Sequence, residues 1–412
     1  MRRFLAVVLL LAPFTLPSAA KIPLDEFALR RASLRKSLDG VLVLFGQTEG
    51  RDEVFRVRPE PNFYYLTGWT QPGAVLLLTP TEEMLFLPHH DLRVEHFHGK
   101  RASAEDAGVH AVTGFEVVFP REKFESELGK VLSAHEKIYT PFDQPIVEKL
   151  KTAYPFREIH DAVPLIVKLR LKKSASELAA IQHATDVSLE AHRASWKRMA
   201  AGLSEHQLAA RVVDTFLEHG CDVAYSPIVG SGPNGVVLHY SANQRRMDNG
   251  EVVVLDAAAE CESYASDITR TVPVGGKFSA RQREIYLVVL GAQKAAIAAL
   301  KPGVRLSGEG DTLTKLAKDY MDAHGKDLHG EGLGKYFVHG LGHQIGLQVH
   351  DPSLNEPLEA GMVVTIEPGI YIEEEGIGVR IEDVVLVTEN GAKVLSAALP
   401  REPDEIEKAV AK

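Results

Sequence analysis

The sequence predicts an α+β protein in two parts, a smaller α/β unit followed by a larger domain in which helices back a curved sheet. Before residue 160, short apolar runs bounded by Gly and Pro are typical of buried strands. After residue 170, capping boxes open three long helical segments, with strand-like runs between and after them. This arrangement is typical of an α+β domain. The 412 residues are enough for two sizeable cores.

Composition places the chain among ordinary folded proteins and excludes one class of partner. Hydrophobic residues make up 45% and charged residues 25%, with a mean hydropathy of -0.07. The formal net charge of -10 argues against a nucleic-acid binder, which needs a basic face. We therefore expect no nucleic-acid partner.

The first twenty residues have the pattern of a secretory signal peptide. Arg2 and Arg3 precede a short apolar stretch, and small residues follow it at 18–20. The stretch is too short for a comfortable transmembrane helix. The pattern predicts an exported protein, periplasmic or extracellular, with no membrane association once the signal is removed.

Residues 21–165 form the predicted N-terminal unit. VLVLFG, AVLLLTP and MLFLP indicate strands, and REKFESELGKVLSAH has helical spacing. Four histidines, at 89, 90, 96 and 98, are either a metal-binding tract or the end of a strand entering a surface loop. We prefer the surface loop, because such tracts are weakly specific.

Residues 166–412 form the predicted second domain. Capping boxes begin at Ser174, Ser204 and Ser279, and a fourth helix is predicted at about 311–324. Strand-like runs cover 251–258, 266–274, 362–373 and 377–388. Asn390 and Gly391 indicate a hairpin turn.

The two cysteines, Cys221 and Cys261, allow two interpretations. In an exported protein they could pair, but the sequence does not show that they are close. We prefer a pair of buried free thiols.

Four acidic residues and one histidine carry the strongest chemical signal. Single acids inside apolar strands are costly to bury unless they are paired or bound to metal. Each alone is more often a turn former or a solvent-facing acid, but together they are a ligand set for two divalent cations sharing one site. The five are Asp256, Asp267, His343, Glu367 and Glu382.

The segments around these residues resemble the M24 metallopeptidase family, whose fold is called pita-bread. The motifs are DAAAECESYASDITRTVPVGGKF, VHGLGHQIGLQVHD, VTIEPGIYI and GVRIEDVVLVTENG. Within the family, the chain is most similar to the Xaa-Pro aminopeptidases, also called aminopeptidase P. PNFYYLTGWTQPGAVLLL is similar to their N-terminal domain, so the resemblance covers nearly the whole chain after residue 20.

The resemblance implies a role for each metal ligand. Asp256 would bind one cation bidentately, and Asp267 and Glu382 would bridge both. His343 and Glu367 would complete the second position, with Glu367 also moving a proton. A hydroxide bridging the two cations would be the nucleophile. Mn(II) suits the oxygen-rich ligand set, and Zn, Co or Fe could also be bound.

Further residues match positions that contact substrate in the family. His239 corresponds to a histidine near the substrate amide, and His350 to one at the substrate carbonyl or the tetrahedral intermediate. His339 and Arg380 correspond to residues lining the proline side of the cleft. The chain departs from the pattern at Ala257 and the following Ala, where Gly is common, and at Cys261, where an aromatic is often found.

The implied activity is removal of an N-terminal residue that precedes proline, so the expected partners are peptides with proline at the second position. The first alternative is an Xaa-Pro dipeptidase. A metal-free amidinohydrolase and a peptide-binding protein of the same fold are further alternatives, and the complete ligand set counts against both. We also expect a homo-oligomer, a dimer or a tetramer.

Overall fold

The computed structural model describes residues 21–48, 58–144 and 146–410. The predicted signal peptide at residues 1–20 lies outside the described residues. Within the described ranges, no helix combines the length and apolar character needed to cross a membrane.

The first unit is built on a six-stranded mixed sheet with the order β4-β3-β2-β1-β5-β6. Its central strand pairs antiparallel with β2 and parallel with β5. All four residues of β2 are buried, as expected for an apolar run in the middle of a sheet. The strands are β1 Val41–Phe45, β2 Val75–Leu78, β3 Glu83–Leu87, β4 Val118–Pro120, β5 Lys137–Thr140 and β6 Glu158–Asp161.

In the part of the chain that the structure describes, seven helices accompany this sheet. They are α1 Leu24–Arg35, α2 Pro61–Thr67, α3 Leu92–His98, α4 Val109–Thr113, α5 Phe124–Leu132, α6 Ile146–Ala153 and α7 Val163–Arg170, with a 3₁₀ turn at Arg121–Lys123. The sheet and the helices that pack on it thus form the predicted α/β arrangement.

The histidine tract lies on the surface of this unit. His89 contacts Glu105 and Glu122, and His90 lies between two further acids. His96 and His98 belong to α3, a helix without buried residues, rather than to a loop. Among the described residues, the groups able to hold a metal ion include none of these histidines.

The helices of the second unit begin where the capping boxes predict. Ser174, Ser204 and Ser279 each form a reciprocal box with the residue three positions on. The helices are α8 Ala175–Arg198, α9 Glu205–Glu218, α10 Ala280–Ala299, α11 Leu313–His324 and α12 Pro403–Val410. Short 3₁₀ turns lie at Gly232–Val236, Leu333–Tyr336 and Glu373–Glu375.

The strands of the second unit form several small antiparallel sheets. Their orders are β11-β10-β7, β12-β9-β8, β13-β16-β17 and β14-β15. The strands are β7 Asp222–Val223, β8 Ile228–Ser231, β9 Val252–Asp256, β10 Ala259–Cys261, β11 Tyr264–Ala265, β12 Thr269–Pro273, β13 Val363–Ile366, β14 Gly369–Ile372, β15 Ile377–Arg380, β16 Asp383–Thr388 and β17 Gly391–Val394. The β16–β17 hairpin turns at the predicted Asn-Gly segment.

Three predicted strands are shorter or divided. The run at 251–258 ends at Asp256, and the runs at 362–373 and 377–388 break at Glu367 and at Glu382. Pro368 has no N–H for a sheet ladder, which accounts for the first break. At the second break, the Glu382 N–H leaves its own sheet and donates to the Thr269 carbonyl 3.0 Å away. Each interruption therefore falls at a predicted metal ligand.

The expectation of free thiols at Cys221 and Cys261 is wrong, because the two form a disulfide. Cys221 lies just after α9 and Cys261 ends β10. Antiparallel pairing of β7 with β10 brings their Cα atoms to 4.6 Å. The pairing spans 40 residues of sequence, so the local sequence does not indicate it.

Candidate metal centre

The first two predicted ligands come together through the β9–β12 pairing. Asp256 is the last residue of β9 and lies opposite Thr269 of β12, two residues after Asp267. Both residues are buried, with exposed fractions of 7% for Asp256 and 5% for Asp267. The Tyr225 hydroxyl lies between them, 2.5 Å from Asp256 Oδ1 and 2.6 Å from Asp267 Oδ1.

His343 is held by close packing of its loop on β13. A Cβ at Gly342 would lie 1.9 Å from the Thr365 carbonyl oxygen, so only glycine allows this approach. The His343 backbone N–H donates to Thr365 Oγ1 at 3.0 Å, and its Nδ1 lies 3.0 Å from the Gln344 carbonyl. The ring therefore directs Nε2 into the cavity.

Nε2 of His343 lies 3.4 Å from an oxygen of Asp267 and 3.4 Å from an oxygen of Glu367. Glu382 completes the cluster from the β15–β16 break and accepts a 2.7 Å hydrogen bond from Thr269 Oγ1. The structure thus brings all five predicted ligands to the wall of one cavity of about 510 Å³.

Two groups of potential ligands share a residue. Asp256, Asp267 and Glu382 have ligand atoms within 4.8 Å of one another, and so do His343, Glu367 and Glu382. A third group joins Asp267 to His343 and His350. All three groups lie on the wall of the same cavity.

Burial and mutual repulsion make these acids hard to ionise without a cation. Burial raises the pKa of Asp256, with the Asp267 charge adding to the effect. Burial, followed by the neighbouring acids, raises the pKa of Glu382 well above its usual range. Burial raises the pKa of Glu367 to about 7, although His343 opposes the shift. The four carboxylates therefore carry more negative charge than the neighbouring His343 and Arg380 offset.

The pKa of His343 also reflects the excess of negative charge in the cluster. Burial alone would lower its pKa, but the hydrogen bond and charge of Asp267, together with Glu367, raise the pKa to about 9. Divalent cations would supply the missing charge, and four carboxylates with one imidazole are suitable donors for them. The residues present therefore fit a two-cation site.

The accessory histidines also lie on this cavity. His239, His339 and His350 all line it. The rings of His343 and His350 have centroids 4.2 Å apart. Burial lowers the pKa of His339 to about 4, and burial followed by the His343 charge lowers that of His350. Both imidazoles are therefore available in the neutral form.

Arg380 is buried and already committed to partners within the protein. Its Nη2 donates to Asp256 at 2.6 Å, and its Nη1 donates to the Tyr371 hydroxyl at 2.9 Å. The same hydroxyl lies 2.9 Å from His339 Nε2. Asp256 is thus linked through the guanidinium of Arg380 and the hydroxyl of Tyr371 to His339, which also lines the cavity.

Three residues of the site were missed from sequence. Tyr225 bridges two ligands, Tyr371 links Arg380 to His339, and Thr269 holds Glu382. Tyr371 carried a weak signal, because it alternates with Gly369 and Glu367 along one face. Tyr225 carried none, since its nearest ligand is 31 residues away.

Two family models cover most of the chain. Metallopeptidase family M24 matches residues 179–389, and the aminopeptidase P N-terminal domain matches residues 27–139. The first match contains all five candidate ligands.

Relatives and solved structures agree with these matches. The Xaa-Pro aminopeptidase of Haemophilus influenzae is 35% identical, over 94% of this chain and 97% of that protein. The Xaa-Pro dipeptidase of Pyrococcus furiosus is 34% identical, over 86% of this chain and 96% of that protein.

Among solved structures, aminopeptidase P from E. coli with the inhibitor Pro-Leu superposes with a TM-score of 0.85 at 30% identity. The match covers 95% of this chain and 98% of that one. The predicted α+β pita-bread domain with an α/β N-terminal domain is therefore confirmed. The chain belongs to metallopeptidase family M24, and within it to the group with an aminopeptidase P N-terminal domain.

Proposed function

We propose that this metallopeptidase hydrolyses the bond between an N-terminal residue and a following proline, using two divalent cations. The observation that carries the proposal is the overlap of the two ligand groups at Glu382, inside a cavity also lined by three histidines. The likeness to Xaa-Pro aminopeptidases over nearly the full length supports the choice of substrate.

The five ligands would hold the cations, with Asp267 and Glu382 between the two positions. When bound, the cations supply an activated water and polarise the substrate carbonyl. We assign to Glu367 the transfer of a proton to the leaving nitrogen. Its side chain lies on the cavity wall, 3.4 Å from His343 Nε2.

The histidines of the wall would bind and orient the substrate. His350, beside His343, is placed to donate to the substrate carbonyl as negative charge develops on it. We assign to His239 a contact with the substrate amide. His339, Tyr371 and Arg380 would form the wall that faces the proline ring.

The oxygen-rich ligand set makes Mn(II) our preferred cation, with Zn, Co or Fe as substitutes. We also propose export through the signal-like segment at 1–20 and assembly into a dimer or a tetramer. Mass spectrometry of the purified protein from an exporting host would detect cleavage after Ala20. Light scattering would measure the assembly.

The deciding experiment compares rates on Xaa-Pro, Xaa-Pro-Yaa, Xaa-Pro-Yaa-Yaa and Xaa-Ala-Yaa at equal concentration, with added Mn(II). We expect release of the first residue from the longer proline peptides and little from the alanine peptide. Cleavage of the dipeptide alone would assign a dipeptidase instead, as in the Pyrococcus relative.

A chelated sample serves as the blank in this experiment. Full activity after complete metal removal would support a metal-free enzyme of the same fold. Binding of proline peptides without turnover would support a peptide-binding protein.

A further inference from the structure

Three side chains able to offer ligand atoms to a metal ion meet at the end of β10, outside the carboxylate centre. His183, Cys221 and Cys261 each offer one ligand atom, and these atoms lie within 4.8 Å of one another. They come from three separate elements: α8, the residue after α9, and the end of β10. The group shares no residue with the proposed two-cation site.

Contacts other than the disulfide also join the elements that carry the three residues. Pairing of β7 with β10 places Asp222 opposite Glu260, directly beside the two cysteines. The Cys221 N–H donates to the Phe216 carbonyl at 3.0 Å, which ties it to the end of α9.

Strand β10 is in turn attached to the helix that carries His183. The Ala259 N–H donates to Ser188 Oγ of α8 at 2.9 Å. These contacts do not involve the sulfur atoms, so we expect the two thiols and the imidazole to remain neighbours when the disulfide opens.

The three residues of this cluster differ in how far they are buried. Cys221 and Cys261 are 5% and 3% exposed, whereas His183 is only partly buried on α8. The imidazole is therefore the most accessible of the three ligand groups, and a cation bound by these three would keep one position for water. Two thiolates and one imidazole are soft donors, which select d¹⁰ cations such as Zn²⁺ rather than Mn²⁺.

We infer that Cys221, Cys261 and His183 form a second, redox-gated site for a thiophilic cation of the Zn²⁺ class. In the oxidised protein the site is closed by the disulfide. A dithiol reductant breaks the S–S bond, gives two electrons and two protons to the cysteine sulfurs, and becomes a disulfide itself. The cation then displaces the two thiol protons.

The test uses the full-length protein and Cd²⁺ as the probe. The protein is reduced with dithiothreitol, freed of reductant by anaerobic desalting, and titrated with Cd²⁺ while the ultraviolet thiolate-to-cadmium charge-transfer band is followed. Carboxylate and imidazole ligands produce no such band, so the two-cation site stays silent in this measurement. We expect the band to reach the intensity of one thiolate-bound Cd²⁺ per chain in the reduced protein, whatever Cd²⁺ the carboxylate centre also binds, and to be absent from the oxidised protein.

Two variants sharpen the result. Cys221→Ser should abolish the band, and His183→Ala should keep it while weakening Cd²⁺ binding by at least about tenfold. His183 is partly exposed, so its variant remains informative even where the cysteine variant fails to fold.

Three outcomes would overturn the inference. The first is the absence of a band although a thiol reagent counts two free thiols in the folded, reduced protein. The second is thiols that appear only after addition of denaturant. The third is an affinity unchanged by His183→Ala, which would remove the imidazole from the site. Peptidase rates are not used, so failure here is separate from failure of the proposed function.

Discussion

Glu382 and Asp383 are consecutive, equally buried acids with opposite fates. Asp383 accepts hydrogen bonds from Arg270 at 2.7 Å and Ser396 at 2.6 Å on one oxygen, and from Gln293 and Arg401 on the other. Among the described residues, by contrast, Glu382 accepts a side-chain hydrogen bond from a threonine hydroxyl alone, and it faces three other carboxylates of the cluster. Asp383 is neutralised by hydrogen-bonded guanidinium groups, whereas no cationic side chain of the described residues hydrogen-bonds Glu382.

The difference shows how to separate a structural buried acid from a metal ligand. Burial alone does not decide, since the two residues are 2% and 0% exposed. What decides is whether the surrounding donors balance the charge. Because adjacent residues on an extended backbone point to opposite sides, one chain segment supplies both kinds.

The largest expected effect comes from removing Asp267, one of the two proposed bridging ligands. Asp267→Ala should lose both cations together and lower kcat/KM by several orders of magnitude, because the activated water is lost with them. Elemental analysis and peptide kinetics measure the two effects. Glu373→Ala, an exposed acid beyond β14, is the control and should retain both cations. Two cations per chain in Asp267→Ala would contradict the bridging role.

Removal of the structural acid should act on stability instead. Asp383→Ala leaves the fully buried Arg270 without its carboxylate and should lower the free energy of unfolding by about 3–5 kcal/mol. The measurement is chemical denaturation of the metal-free protein. Glu382→Ala is the matched control, and we expect a smaller loss because the change also relieves repulsion among carboxylates. Equal losses of unfolding free energy in the two variants would show that Asp383 and Glu382 do not differ in their structural role.

A smaller effect is expected on the cavity wall, where no ligand is lost. His350→Ala should keep both cations and lower kcat by about 10²–10³, as for loss of one donor to a developing oxyanion. Metal content and turnover are measured on the same sample. His350 also belongs to one potential ligand group, so a variant with only one cation would move it into the ligand set.

The smallest effect concerns a histidine behind the ligand strands. His192 is buried, and its Nε2 lies 3.0 Å from the carbonyl of Ala257. Burial, followed by the Arg270 charge, lowers its pKa from 6.5 to about 4. The unfolded chain therefore binds a proton below pH 6.5 that the folded protein does not take up until about pH 4.

Stability from His192 is thus fully present above pH 6.5 and is lost as the pH falls, by about 3 kcal/mol in all. The free energy of unfolding, measured by chemical denaturation between pH 7 and pH 4, should fall less with decreasing pH in His192→Gln, which keeps an N–H donor. The exposed His96→Gln should behave like the unchanged protein. An identical pH dependence in all three proteins would show that His192 is not the acid-sensitive group.

Local signals predicted the helices well and the strand ends poorly. A capping box is complete within four residues, so Ser174, Ser204 and Ser279 announce their helices without tertiary context. The breaks at Glu367 and Glu382 were read as continuous strands, because apolar composition runs through both. What ends the second strand is a bond to Thr269, more than a hundred residues away.

The fold class, the helix starts and the five candidate ligands could be predicted from the sequence, because these depend on short-range pattern and on motifs of a few residues. Contacts in the folded molecule determine which acid is neutralised, that Cys221 pairs with Cys261, and that Tyr225 lies between Asp256 and Asp267. These outcomes depend on contacts between residues 31 to 113 positions apart, such as Thr269 with Glu382 and Arg270 with Asp383. The charge balance of a buried acid and the pairing of two cysteines depend on how distant segments pack, so the neighbouring sequence does not indicate them.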